Sequence, residues 1–155
     1  MTIEKTHTET ENLTLTIRRA IAADVDIVYG LISDLENRLM DRTNFDFVFN
    51  TNLNNELVAY YIAEIDGEAV GMGSCHVQTL LHHASFVAEV QELIVYASHR
   101  SKQIGKRLME SLVAFAKSKG ATQIEVSSRK FRESAHRFYE REGFENSHFK
   151  LVRYF

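Results

Sequence analysis

Between residues 85 and 128 the sequence changes its period twice, and that change constrains the fold more than any other feature. SFVAEVQELIVYA (85–97) reads as one long strand. The run IGKRLMESLVAFAKSKG then repeats its apolar residues at helical spacing. Ile104, Leu108, Leu112 and Phe115 share one face, and Gly120 stands where a helix stops. TQIEVSS returns to a strand. A helix between two strands is a crossover, and a crossover makes those strands parallel partners in one sheet. The fold class is therefore α/β (α+β) with a mixed sheet.

The flanking segments supply antiparallel partners. LTLTIRRA (13–20) alternates as a strand. ADVDIVYGLISDLENRLM (23–40) places Ile27, Val28, Leu31, Ile32, Leu35 and Leu39 at helical spacing, with Asp24 as N-cap. FDFVFNTNLNN (45–55) fits either a short helix or an irregular loop. AYYIAEI and EAVGMGSCHV are joined by Asp66-Gly67, which supplies the positive φ values of a type I′ hairpin turn. A short helix, RESAHRFYERE, runs to Gly143, and NSHFKLVRYF reads as a last strand. The order is β-α-(α)-β-β-β-α-β-α-β, a mostly antiparallel mixed sheet flanked by helices. Residues 1–12 read as a flexible polar leader and 13–155 as a single domain.

Composition narrows the function classes. With 155 residues and 45% hydrophobic content, one sizeable core is expected. No apolar run approaches the roughly eighteen residues of a membrane span, and the polar N-terminus lacks the apolar stretch of a signal peptide. The single cysteine, Cys75, rules out an internal disulfide and fits a reducing cytoplasm. Charge is divided along the chain: residues 99–155 hold 13 Lys and Arg against 6 Asp and Glu, while residues 1–98 hold 5 against 15. A basic half on a nearly neutral protein suits a small anionic partner. Its cations are spaced along helices rather than gathered in an aromatic-laced stripe, which argues against nucleic acid.

The basic loop RSKQIGK, at the start of the crossover helix, is where such an anion would sit. The first amides of a helix have no internal partner and lie at the positive end of its dipole. Arg100, Lys102 and Lys106 add charge, and Gly105 lacks a Cβ that would hold a phosphate away. Neither GxxxxGK[ST] nor GxGxxG is present, so by itself the loop is equally a helix start with surface lysines.

Taken with the element order and the segment SAHRFYEREGFE (134–145), the loop resembles that of the GCN5-related N-acetyltransferases. That family's acetyl-CoA loop, Arg/Gln-x-x-Gly-x-Gly/Ala, maps onto Arg100-Ser101-Lys102-Gln103-Ile104-Gly105, with Gln103 in place of the first glycine. Within the family, LLHHASFVAEVQELIV and AHRFYEREGFENSHFK are similar to the branch that acetylates aminoalkylphosphonates. The resemblance implies direct attack of a small primary amine on acetyl-CoA. The coenzyme would lie on the loop through Lys106 and along the strand at Leu93, Ile94 and Val95, whose N–H groups would also meet the oxyanion. It also implies a homodimer.

Residue roles follow from the same resemblance. Glu89 takes the family's position for the base that deprotonates the ammonium, with Glu92 as the second candidate; at their odd spacing the two fall on opposite faces of the strand. Tyr139 matches the family's tyrosine that protonates the leaving thiolate, although an aromatic residue beside Phe138 is ordinarily core. Arg129 and Arg132, with Lys130 between them, suit a phosphonate or the 3′-phosphate of coenzyme A. The phosphonate branch further implies a divalent metal, for which His76, His82 and His83 are the nearby ligands; adjacent strand residues such as His82 and His83 cannot both reach one ion. Two alternatives stay open: another acceptor, such as a polyamine, an antibiotic or a protein amine, and a non-catalytic acyl-CoA sensor. A polyamine would want an acidic pocket, and the acidic first 98 residues keep that alternative open.

Overall fold

The computed structural model describes residues 13–155; the leader expected over residues 1–12 lies outside the described residues. One five-stranded sheet in the order β1-β2-β3-β4-β5 organises them. Its strands are β1 (Leu15–Arg19), β2 (Val58–Ile65), β3 (Glu68–Leu80), β4 (Ser85–Val95) and β5 (Ala121–Val126). The first three pairings are antiparallel and β4–β5 is parallel, as the crossover requires. Four helices flank the sheet: α1 (Val25–Glu36), α2 (Arg42–Leu53), α3 (Ile104–Ser118) and α4 (Glu133–Arg141). The β2–β3 turn has φ 50° at Asp66 and 85° at Gly67, the two positive values of a type I′ turn.

Alternation along the strands divides the core between two faces. Tyr60, Ile62, Met72 and Ile94 point to α1 and α2, where Leu31, Ile32 and Phe49 meet them. Ala59, Cys75, Val77, Ala88 and Val90 point the other way, under Met109, Leu112 and Phe115 of α3. The amphipathic pattern of α3 thus buries the face that its sequence marks as apolar. Residues 45–55 fall largely within α2, whose ring stack of Phe45, Phe49 and Tyr60 ties the helix to the sheet (centroids 6.4 and 5.6 Å).

Two expectations need correction. Asp24 does stand at the N-cap position of α1, but its carboxylate bonds no amide of that helix. It turns back to accept the Ile21 N–H at 2.7 Å and both terminal nitrogens of Arg18 at 2.8 Å. Arg18 also reaches Glu64, at 2.7 Å. The second concerns residues 146–155, which form no strand: every residue from Glu145 to Phe155 is exposed, and none joins a ladder. A strand exists only with a partner, and the alternating pattern of this segment cannot supply one.

The Arg18 guanidinium holds the buried Asp24 carboxyl below the usual carboxylate value. A depressed acid stabilises the fold above its unfolded pKa and loses that contribution as pH falls through the folded value. Asp24→Asn is therefore expected to cost about 2 kcal/mol at neutral pH. Thermal melts across pH check this, because the gap from the parent chain must close as the solution turns acid.

Candidate active site

Strand β4, which holds both candidate carboxylates, is irregular. Glu89 lies opposite His76, and the register then slips between Gly73 and Cys75, so that Gln91 and Glu92 together face Ser74. This bulge adds one residue to β4 and reverses the alternation beyond it. Glu89 and Glu92, expected on opposite faces, consequently share the face covered by α1 and α2. An odd spacing reads correctly only on a regular strand.

The two carboxylates sit in different surroundings. Glu92 lines a cavity of ≈ 410 Å³ whose walls include Arg38, Asn44, Phe45, Phe49 and Tyr60. Its N–H donates to Ser74 Oγ at 3.0 Å, and the Ser74 hydroxyl donates back to its carboxylate. Burial pushes the Glu92 pKa up against the pull of Ser74 and His76, and the Glu36 charge pushes the same way. Glu89 is nearer the rim, 3.5 Å from Ser127 Oγ and 3.8 Å from Lys150 Nζ. The Asn52 amide donates to the Tyr60 hydroxyl at 2.7 Å, holding the wall opposite α1.

Next to this cavity the sheet opens. The β4–β5 ladder ends at Val90–Val126, so beyond Val90 only β3 pairs with β4. Leu93, Ile94 and Val95 thus present alternate backbone groups to an unfilled edge. The chain turns from Val95 into the basic loop, where the Arg100 guanidinium donates back to the Val95 carbonyl at 3.1 Å. Ser101 and Gln103 have φ 64° and 63°. Each left-handed non-glycine residue costs about 1–2 kcal/mol, strain of a kind that gathers at functional turns. Gln103 thereby takes the backbone conformation open to the glycine it replaces. No side chain caps α3, so the amides of Ile104, Gly105 and Lys106 face outward from the helix start.

Gly105 lies beside helix α4. A Cβ added there would meet the Phe138 ring at 3.5 Å, an ordinary contact. The glycine sits under α4, and the turn is opened by the left-handed residues before it.

Tyr139 approaches from the opposite face of the sheet. It packs edge-on against Phe138 and Phe144, with centroids at 5.5 and 5.7 Å, in the cluster that contains Val90 and Val126. Burial raises its pKa and Arg132 partly offsets the rise, so the phenol stays protonated at neutral pH. Cys75 is buried and its thiol is pushed up to about 11, which makes it an unsuitable nucleophile.

The cationic candidates divide. Arg129 bridges to Glu36 at the end of α1 (3.1 Å) and so lies on the Glu92 side of the sheet. Arg132 precedes α4 on the Tyr139 side, and Lys130 is exposed between them. Arg38, absent from the sequence reading, reaches the cavity wall. It follows α1 in sequence without a motif, and only the placement of α2 reveals it. His82 and His83 lie on a 3-10 turn rather than a strand, with ring centroids 4.3 Å apart. Among the described residues no three His, Cys, Asp or Glu side chains converge on one point, so the donor set does not fit a divalent metal.

Comparison with known proteins agrees with this geometry. Residues 27–144 match the model of the Acetyltransferase (GNAT) family. The aminoalkylphosphonate N-acetyltransferase of Salmonella typhimurium (strain LT2) is 40% identical over 137 residues, 88% of this chain and 89% of its own. Two solved structures share the fold. Aminoglycoside N-acetyltransferase AAC(6')-Iy, in complex with CoA, gives a TM-score of 0.84 at 18% identity, covering 94% of this chain and 96% of its own. Glucosamine-6-phosphate N-acetyltransferase from Arabidopsis thaliana gives 0.78 at 21%, covering 92% and 99%.

Proposed function

Because the chain belongs to the GNAT acetyltransferase family and is an N-acetyltransferase, we propose that it transfers the acetyl group of acetyl-CoA to the primary amine of a small aminoalkylphosphonate. One observation carries the reading. A half-buried carboxylate, Glu92, lies at a cavity directly beside the unfilled edge of β4, and that edge leads to the uncapped start of α3. The diphosphate of the coenzyme would rest on the α3 amides with Arg100, Lys102 and Lys106 around it. The pantetheine arm would extend along Leu93 to Val95 and bring the thioester into the gap between β4 and β5.

The chemistry then divides between the faces of the sheet. An acceptor arrives as an ammonium, and Glu92 on the α1–α2 side takes its proton, with Glu89 at the rim as the second carboxylate. The free amine attacks the thioester carbonyl and the C–S bond breaks. Backbone N–H groups of β4 stabilise the oxyanion. Tyr139, on the α3–α4 side, protonates the departing thiolate. Arg38 and Arg129 are the cations on the Glu92 side available to the phosphonate, with Arg132 on the Tyr139 side of the sheet, and the 40% identical relative supports that acceptor class. The Arg129 contact with Glu36 would have to exchange for it.

A second reading, a polyamine acceptor, is favoured by Asp41 and Glu92 in the same cavity wall. Thiol release from acetyl-CoA separates the possibilities. Release with 2-aminoethylphosphonate well above that with spermidine is expected. The reverse order selects the polyamine. Silence across a panel of amines with acetyl-CoA still bound selects a sensor, and absence of acetyl-CoA binding removes the reading altogether.

A further inference from the structure

The cavity beside Glu92 is larger and more apolar than a short aminoalkylphosphonate requires. Its volume of ≈ 410 Å³ falls within the roughly 300–1,000 Å³ of pockets that enclose drug-sized ligands. Most of its wall is aliphatic or aromatic. Ile32, Phe49 and Met72 form the buried side, Phe45 is half-buried, and Leu39 and Val48 are 80% and 51% exposed. An apolar surface therefore runs from the buried side out to solvent, and apolar side chains left uncovered in a concave site mark a ligand groove. The outer part is fixed in place. Helix α1 ends on Asn37 in the left-handed conformation (φ 54°), and the Tyr29 hydroxyl donates to the Met40 carbonyl at 2.7 Å. Asp41 then caps α2 by accepting the Asn44 N–H at 2.8 Å. Leu39 is thus held between two anchored helix ends.

We propose, resting on the acetyl-transfer reading, that this cavity selects aminoalkylphosphonates that carry a branched aliphatic or aromatic substituent on the carbon bearing the amine. The polar ends of such an acceptor are met elsewhere in the wall. Its amine goes to Glu92, and its phosphonate to Arg38, which forms no ion pair among the described residues. The substituent then covers Leu39, Phe45 and Val48. An unsubstituted acceptor leaves that surface wet, and the binding energy it could contribute to transfer goes unused. Each methylene buried there is expected to raise kcat/KM about fourfold. An aromatic substituent can in addition meet the Phe45 ring edge-on or offset-stacked.

Thiol release from acetyl-CoA on the full chain tests this with a matched series: aminomethylphosphonate, 1-amino-3-methylbutylphosphonate and 1-amino-2-phenylethylphosphonate. All three place one amine and one phosphonate on the same carbon and differ only in what else that carbon carries. The better of the two substituted acceptors is expected to exceed aminomethylphosphonate at least about tenfold in kcat/KM. Leu39→Ser and Val48→Ser, both at exposed positions that the fold does not depend on, should each shrink that ratio severalfold. Turnover of aminomethylphosphonate or 2-aminoethylphosphonate with no gain from either substituent overturns the proposal and leaves the acetyl-transfer reading intact. A gain that survives both substitutions overturns it as well, because the substituent then sits elsewhere. Silence with every amine removes the proposal together with the reading it rests on.

Discussion

Glu92→Gln is expected to lower kcat/KM about 10³-fold with the aminoalkylphosphonate acceptor, within the 10²–10⁴ range of a positioned general base. Glutamine keeps the length of the side chain and can still accept from the Ser74 hydroxyl, so the cavity retains its shape. What disappears is the capacity to take a proton. In the parent enzyme the base must be ionised, and burial lifts its pKa above the ordinary value. Activity should therefore rise with pH through a limb displaced upward from the usual carboxylate range, and the variant should lack that limb. Stability moves the opposite way. An acid whose folded pKa is raised favours the fold below its unfolded pKa, and that contribution is lost as pH rises through the folded value. Replacing Glu92 removes a cost that is largest at neutral and higher pH, so Glu92→Gln is expected to melt no lower than the parent chain at pH 7 and at a higher temperature if anything. A slow enzyme with an undiminished melting temperature is the signature of a catalytic carboxylate rather than a structural one. Glu89→Gln, measured beside it, decides between the two. If Glu89→Gln loses the 10³-fold and Glu92→Gln does not, the rim carboxylate is the base.

That comparison also marks the limit of what the sequence reveals. Helix α3 and its two strands are legible because each period persists over a whole element and the glycines that end helices stand where the pattern stops. The hairpin is legible because Asp-Gly specifies a backbone conformation on its own. The bulge is different. Nothing in EVQEL distinguishes a strand that slips from one that does not, since the slip depends on Ser74 of β3 reaching across to Glu92. A single extra residue then moved one carboxylate to the other side of the sheet relative to the regular reading. Asp24 shows the same dependence on distant partners. Its position before α1 is written locally, but its carboxylate follows Arg18 on β1. Helix α2 lacks a clear apolar stripe because Phe45 and Phe49 face the sheet and the cavity while Phe47 between them is exposed, so its sequence fits a helix or a loop equally. Residues 146–155 carry the propensity of a strand, and propensity cannot name the partner a strand needs.

Tyr139→Phe should reduce kcat about 10²-fold or more and leave the affinity for acetyl-CoA unchanged. The two halves of that expectation have separate physical origins. Affinity for the coenzyme would come from the α3 amides, the loop cations and the β4 edge, none of which the phenol hydroxyl touches. Packing is preserved too, because the ring keeps its edge-on contacts with Phe138 and Phe144. What phenylalanine removes is a proton held in a desolvated position beside the β4–β5 gap. When the tetrahedral intermediate collapses, sulfur leaves as a thiolate, and a nearby O–H lowers that barrier. Because burial raises the phenol pKa above its ordinary value, the donor form persists through neutral pH, and the alkaline loss of activity should fall above 10. An acceptor-independent drop in kcat with an unchanged dissociation constant, together with loss of the alkaline limb, assigns the proton to Tyr139. A variant that turns over at the parent rate makes the tyrosine a packing residue and assigns the proton to water or to the acceptor itself.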